Sequence, residues 1–354
     1  MKNILITGGA GFVGSSLALL LKKNYPDYKI FCMDNLKRKG SELNLPRLAE
    51  AGIEFIHGDI RNKEDFDSIP ACTTVIEASA EPSVLAGLNS SPDYLLNTNL
   101  VGTLNCLSYA ARYKSDFVFL STSRVYPIEN IEKIEFTEQA TRFAISQQQT
   151  LPGITENGLN ENFSLQGFRS LYGATKLASE LIIQEYNQFL NIKTVINRCG
   201  VLTGPWQMGK SDQGVVVLWM AKHFWNKKLT YNGYGGTGKQ IRDILHVKDL
   251  YDLVNQQIHN MDLVNGKILN VGGGLGVSTS LLELTDICKE LTNNTIEITP
   301  VIETRQADIR IYITDNTEVT KLTGWSPKIG VKQIMTEIYH WIHENESKLK
   351  PILS

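Results

Sequence analysis

Residues 8–14 read GGAGFVG, and the apolar run KNILIT at 2–7 leads directly into them. A short apolar strand that ends on glycines and passes into helical spacing at 15–23 is the sequence form of a strand–turn–helix unit. Gly9, Gly11 and Gly14 satisfy GxGxxG, while Gly8, Gly11 and Gly14 satisfy the GxxGxxG variant. Glycines there permit the tight turn, close approach of backbone to a pyrophosphate and tight helix packing, and the helix N-terminus turns its positive end to the anion. A second strand at 29–34 closes on Asp34, 20 residues past Gly14, where a carboxylate accepts from ribose hydroxyls. A glycine turn without a ligand is the plainer alternative; the strand before it, the helix after it and the distant acid together favour a dinucleotide. Asp34 repels a 2′-phosphate and so favours NAD over NADP, although Lys37 and Arg38 just beyond would suit that phosphate. Asp59 and Ile60, after a third strand, are placed to contact the adenine, and Asp59 reads equally well as a helix N-cap.

Working outward, strands at 54–56, 74–77, 117–121 and 193–198 alternate with helical spacing at 95–113 and 170–190. This alternation predicts an α/β fold, a Rossmann-type doubly wound parallel sheet with a smaller C-terminal α/β domain. The division falls at 1–180 for the dinucleotide domain, with some later segments returning to it, and 181–354 mainly for a second ligand. The stretch 129–166 is polar and aperiodic, and is expected to be a functional loop. The chain of 354 residues carries a net charge of −2, so no global field draws it to nucleic acid or anionic membrane. Five scattered cysteines without a CxxC pair argue against disulfides and zinc, and six histidines show no ligand spacing; no metal is expected. No signal peptide or membrane-length apolar run is visible, which points to the cytoplasm.

Two further stretches carry chemistry. SLYGATKLASE at 170–180 puts Tyr172 and Lys176 on one helix face, a turn apart. A free tyrosine titrates near 10, and a nearby ammonium favours its phenolate; lowering it by roughly three pH units takes about 4 kcal/mol. Such a phenolate can take a hydroxyl proton while hydride leaves the same carbon. YxxxK alone also occurs on ordinary helices. LSTSRVYP at 120–127 supplies the second feature: three hydroxyls, Ser121, Thr122 and Ser123, close a buried strand at the edge where open α/β sheets bind ligands.

GGAGFVG, Asp34, the STS cluster and YGATK, with KQIRDILHVKDL at 239–250, RQAD at 305–308 and GWSPKI at 324–329, resemble the extended short-chain dehydrogenase/reductase family that acts on nucleotide sugars. The resemblance spans essentially the whole chain. It implies that Thr122, three positions before Val125-Tyr126, bonds the reacting sugar hydroxyl, with Tyr172 as base and acid and Lys176 tuning it. Ser123 then lies against the substrate or, like Ser121, serves backbone or cofactor. The cofactor contacts it implies are Gly8, Gly11, Phe12, Val13 and Gly14 in the turn, Asp34 and Asn35 after the second strand, and Asp59 and Ile60 after the third. Ala78, Asn99, Tyr172 and Lys176 complete that set, with helix capping as the alternative for Asn99. Arg242 and Arg305 would pair with the substrate diphosphate and Asp308 with a ribose hydroxyl; a salt bridge is the alternative for each.

Family members that eliminate water carry Asp-Glu directly after the threonine, whereas this chain has Ser123 and Arg124. A hydroxyl and a fixed cation cannot act as the acid and base of an elimination. The stretches DNLKRKG at 34–40, HGDIRNK at 57–63, SDQG at 211–214, GKQIRDILH at 238–246 and SLLEL at 280–284 resemble members that invert C2 of a CDP-hexose. A UDP-sugar 4-epimerase, a nucleotide-ketosugar reductase and a non-catalytic NAD-sensing protein are the alternatives. Two positions depart from the family pattern: Val201 where many members have asparagine, and Glu77 where a histidine commonly ends the fourth strand. Homo-oligomers, dimers or tetramers, are common in the family and expected here.

Overall fold

The structure, a computed structural model, describes residues 2–88, 90–209 and 213–354. Seven strands form the central sheet: β1 (Asn3–Thr7), β2 (Lys29–Asp34), β3 (Glu54–His57), β4 (Thr74–Glu77), β5 (Asp116–Thr122), β6 (Thr194–Cys199) and β7 (Lys267–Val271). Their order is β7-β6-β5-β4-β1-β2-β3, and every neighbouring pair is parallel. The order reverses between β1 and β4, so the carboxyl ends of those two strands open a crevice where such sheets bind ligands.

Strands such as ILIT and FVFL are apolar at successive positions because both faces of the sheet are covered. On one face Ile4, Ile6, Ile76 and Val118 meet Leu17 and Leu21 of α1 (Phe12–Asn24) and Leu250 and Val254 of a later helix (Val247–His259). On the other, Leu5, Val75, Phe117 and Phe119 meet Cys106, Leu107 and Ala110 of α2 (Gly102–Tyr113) and Ile183 of α3 (Leu171–Leu190). Each Val, Leu, Ile or Phe among them contributes roughly 1.5–3 kcal/mol through burial. β6 and β7 complete this sheet although both lie beyond residue 180.

A second, smaller sheet joins Val201–Thr203, Ile241–His246, Ser278–Ser280 and Ile311–Tyr312. Helices Val215–Phe224, Leu281–Thr292 and Val331–Glu344 share a core around Met220, Leu284, Ile338 and Trp341. A capping box of Ser280 and Glu283 starts the second of these helices.

The segment 129–166 differs from the irregular functional loop expected of it. It folds into two small hairpins, Phe136–Glu138 with Phe143–Ile145 and Ile154–Thr155 with Gly158–Leu159. Ile131, Leu159 and Phe163 pack with Tyr126 and Tyr312, and Arg142 pairs with Glu283. The segment braces the smaller lobe and lines no part of the cavity described below. Strands of two or three residues are too short for an alternating pattern to register in the sequence.

Candidate active site

A cavity of about 1040 Å³ opens at the carboxyl edge of the sheet, walled on its far side by the smaller lobe. The glycine turn forms one end. A Cβ on Gly14 would lie 2.2 Å from the Gly8 carbonyl oxygen, so only glycine lets α1 start this close to β1. Gly8, Gly11, Phe12 and Val13 line the cavity, with Gly14 behind them. Asp34 accepts from Ala10 N–H at 3.1 Å and from Leu36 N–H at 2.8 Å. Burial raises its pKa while these amides and the Gly11 N–H lower it. Asn35, Ile60 and Ala78 also face the cavity. A bare backbone cradle with an acid fixed beside it fits the pyrophosphate and ribose of NAD. The basic residues that would suit a 2′-phosphate are engaged elsewhere: Lys37 Nζ lies 3.0 Å above the Tyr94 ring, and Arg38 reaches Gln213 and the Met208 carbonyl.

Asp59 faces only a shallow crevice beside the cavity. Burial works against its charge, but hydrogen bonds from Arg61 (2.6 Å) and Asn35 (2.9 Å) hold its pKa down to about 2. It does not cap a helix, since the next helical turn starts at Lys63 behind Asn62. Asn99 lies outside the cavity wall, buried in a π-turn (Asn97–Val101). Its amide accepts from Glu81 N–H at 2.7 Å and donates to the Glu81 carbonyl at 3.0 Å. Asn99 therefore fixes the backbone after β4 and neither caps a helix nor faces the cofactor side directly.

The reacting residues sit at the centre. Thr122 ends β5, lines the cavity, and its Oγ1 accepts from Arg124 N–H at 3.1 Å. The hydroxyl thus caps the turn Ser123–Val125 and faces the cavity at once. Ser121, expected on backbone or cofactor, lines the cavity and donates its hydroxyl to Glu180 at 2.5 Å. Glu180 is paired with Arg198 at 2.7 Å, Arg198 donates to the Tyr126 hydroxyl at 3.2 Å, and Tyr126 donates to Asn270 at 2.7 Å. This buried chain ties α3 to β5, β6 and β7. Nothing in the sequence announces it, because its bonded partners are 18 or more residues apart.

Ser170 caps α3 by accepting from Gly173 N–H at 3.2 Å. A Cβ on Gly173 would lie 2.1 Å from the Arg124 carbonyl oxygen, and this close approach brings the first turn of α3 against the end of β5. Tyr172, in that turn, lines the cavity. Burial pushes its pKa up to about 12, opposed by hydrogen bonding with Thr122 and by the Arg124 charge. Lys176, expected to tune the phenol and to touch the cofactor, lies outside the cavity wall with its ammonium 3.8 Å above the Phe119 ring. Burial lowers its pKa, and the charges of Glu77 and Glu180 oppose that. Arg124 is therefore the cation that weighs most on Tyr172. Taking the phenol from about 12 to neutrality costs about 7 kcal/mol, more than the roughly 4 kcal/mol expected from an unburied tyrosine.

Ser123, Arg124, Arg242, Arg305 and Asp308 also line the cavity. Arg242 and Asp308 pair with each other at 3.0 Å. Arg305 makes no ion pair among the described residues, and among them the Arg124 guanidinium donates to the Ala307 carbonyl alone, at 3.2 Å. Of the stretch SDQG, Ser211 and Asp212 lie outside the described residues.

The model of the NAD dependent epimerase/dehydratase family matches residues 4–272. This chain belongs to that family. The CDP-paratose 2-epimerase of Salmonella typhi is 31% identical over 349 residues, covering 96% of this epimerase/dehydratase chain and 98% of that protein. A putative UDP-glucose 4-epimerase of Methanocaldococcus jannaschii is 28% identical, covering 97% and 99%. The solved structure of dTDP-glucose 4,6-dehydratase from Bacillus anthracis, in complex with NAD, shares the fold with a TM-score of 0.77 at 24% identity, covering 99% of this chain and 100% of that one. As a family member the chain is an NAD-dependent enzyme, and the glycine turn and Asp34 are the residues that fit the cofactor. No described helix is long and apolar enough to cross a membrane.

Proposed function

We propose that this enzyme inverts C2 of a CDP-hexose by transient oxidation and re-reduction. The carrying observation is that Thr122 and Tyr172 share the cavity with Ser123 and Arg124, where an eliminating enzyme would need an acid and a base. Redox at one carbon remains. The choice of C2 and of a cytidine nucleotide rests on the relative from Salmonella typhi.

NAD, when bound, supplies the hydride acceptor and donor. Thr122 orients the substrate hydroxyl, and Tyr172 as phenolate takes its proton as the carbon is oxidised. The ketosugar then turns to present its other face while Arg305 holds the diphosphate end, and Tyr172 returns the proton. Arg124 favours the phenolate throughout, since an opposite charge nearby stabilises the ionised form.

Proton NMR of the purified enzyme with CDP-paratose in deuterated buffer tests this reading. Conversion to CDP-tyvelose without deuterium at C2 is the expected result. No conversion, with a UDP-hexose turned over instead, would assign the 4-epimerase activity named for the relative in Methanocaldococcus jannaschii.

A further inference from the structure

The strand β4 ends in TVIE, and its last side chain, Glu77, is fully buried. Glu77 is the register partner of Thr7 on β1 and of Phe119 on β5. In parallel strands such partners project from the same face, here the face covered by α2 and α3. Glu77 Oε1 accepts from Thr103 Oγ1 of α2 at 2.7 Å, while Oε2 is buried with no partner among the described residues. On that same face Lys176 reaches down from α3 and sets its ammonium over Phe119, one strand away from Glu77. Neighbouring strands are about 4.8 Å apart, so the ammonium lies within a side chain's reach of the unpaired oxygen. It makes no hydrogen bond among the described residues.

The other groups around Glu77 do not compete for this role. From β1, the Thr7 hydroxyl is paired with Ser79 at 2.9 Å. From α2, Thr103 already serves Oε1, and the Cys106 thiol is kept neutral by burial. Glu180 also faces Lys176, but its oxygens serve Arg198 and Ser121.

We propose that Glu77 is a positioning residue for Lys176: its unpaired carboxylate oxygen draws the ammonium against the sheet, so a proton on Glu77 sets how much of the lysine charge reaches Tyr172. The proposal rests on the reading of Tyr172 as the proton-transferring group. An ionised Glu77 offsets the lysine charge and keeps the ammonium away from the cavity. A protonated Glu77 releases it toward Tyr172, where it favours the phenolate. Burial places the Glu77 carboxyl at about 7, with Lys176 and Thr103 opposing that rise, so both states are populated near neutrality.

The test is the ionisation of Tyr172 in the NAD-loaded enzyme without sugar, read as the ultraviolet difference between the enzyme and its Tyr172→Phe variant across pH. Glu77→Gln should lower the Tyr172 midpoint by at least one pH unit, and Glu77→Asp, which keeps the charge, should restore most of the original value. An unmoved or raised midpoint in Glu77→Gln overturns the proposal alone. If Tyr172→Phe removes no titrating phenol, the reading of Tyr172 fails and the proposal with it. Should Glu77→Gln not fold, infrared difference spectra of Lys176→Met decide: loss of the ammonium should raise the midpoint of the buried carboxyl by at least one pH unit, and an unchanged midpoint overturns the proposal.

Discussion

Arg198→Met removes one half of the buried pair behind the active site while nearly preserving side-chain volume. Glu180 is 0% and Arg198 3% exposed, and the guanidinium supplies three of the four hydrogen bonds that the carboxylate accepts. Without it Glu180 keeps only Ser121, and the folded variant relieves the buried charge by taking up a proton. For a glutamate of ordinary pKa, about 4.3, that protonation costs about 3.5 kcal/mol at pH 7 but only about 1 kcal/mol at pH 5. Losing the bond to Tyr126 adds about 1 kcal/mol. The total, roughly 4–5 kcal/mol at pH 7, agrees with the 3–5 kcal/mol typical of a broken buried pair. The sign follows from the raised folded-state pKa in the variant: its deficit is smallest below the unfolded value and grows as pH rises. Urea unfolding followed by circular dichroism should show a loss of roughly 2 kcal/mol at pH 5 and more than twice that at pH 7. The double variant Glu180→Met with Arg198→Met should recover most of the loss and show little pH dependence. An equal deficit at both pH values, or a double variant as unstable as the single one, would refute the account of an uncompensated carboxylate.

Tyr172→Phe should keep NAD but lose turnover by about 10²–10⁴-fold, the usual contribution of a positioned acid–base group; denaturing the purified variant should still release NAD(H), and unchanged turnover would remove Tyr172 from the chemistry. Gly14→Ala puts a methyl 2.2 Å from a backbone oxygen that cannot yield without moving the turn, so released NAD should fall to a small fraction of the normal amount and the thermal midpoint should drop. Normal NAD content in that variant would mean the turn adapts.

The glycine turn was legible because glycine at 8, 11 and 14 and an acid at 34 encode backbone geometry directly, and local rules govern it. Tyr172 and Lys176 were equally legible as neighbours on a helix. What the spacing could not show is where a flexible ammonium points: Lys176 has four carbons of reach, and its ammonium lies over Phe119 instead of on the cavity wall. Arg242 and Asp308 were read toward the substrate with a salt bridge as the alternative, and the fold pairs them with each other while keeping both on the cavity wall. The hairpins within 129–166 were hidden by their brevity, and the network from Ser121 to Asn270 by the length of chain between its members.

The large sheet is not finished by one continuous stretch of chain. β5 is complete at Thr122, but its outer partner β6 ends at Cys199, and the chain enters the smaller sheet before returning as β7. At the usual 5–20 residues per second of synthesis, the 77 residues from Thr122 to Cys199 take roughly 4–15 s. Throughout that time the nascent protein exposes an unpaired edge bearing Phe117, Val118 and Phe119, a ready template for pairing with another chain. A polypeptide halted anywhere between 123 and 193 would therefore carry that edge unpaired, and a fragment cut at residue 180 would lack β6 and β7 of the cofactor sheet.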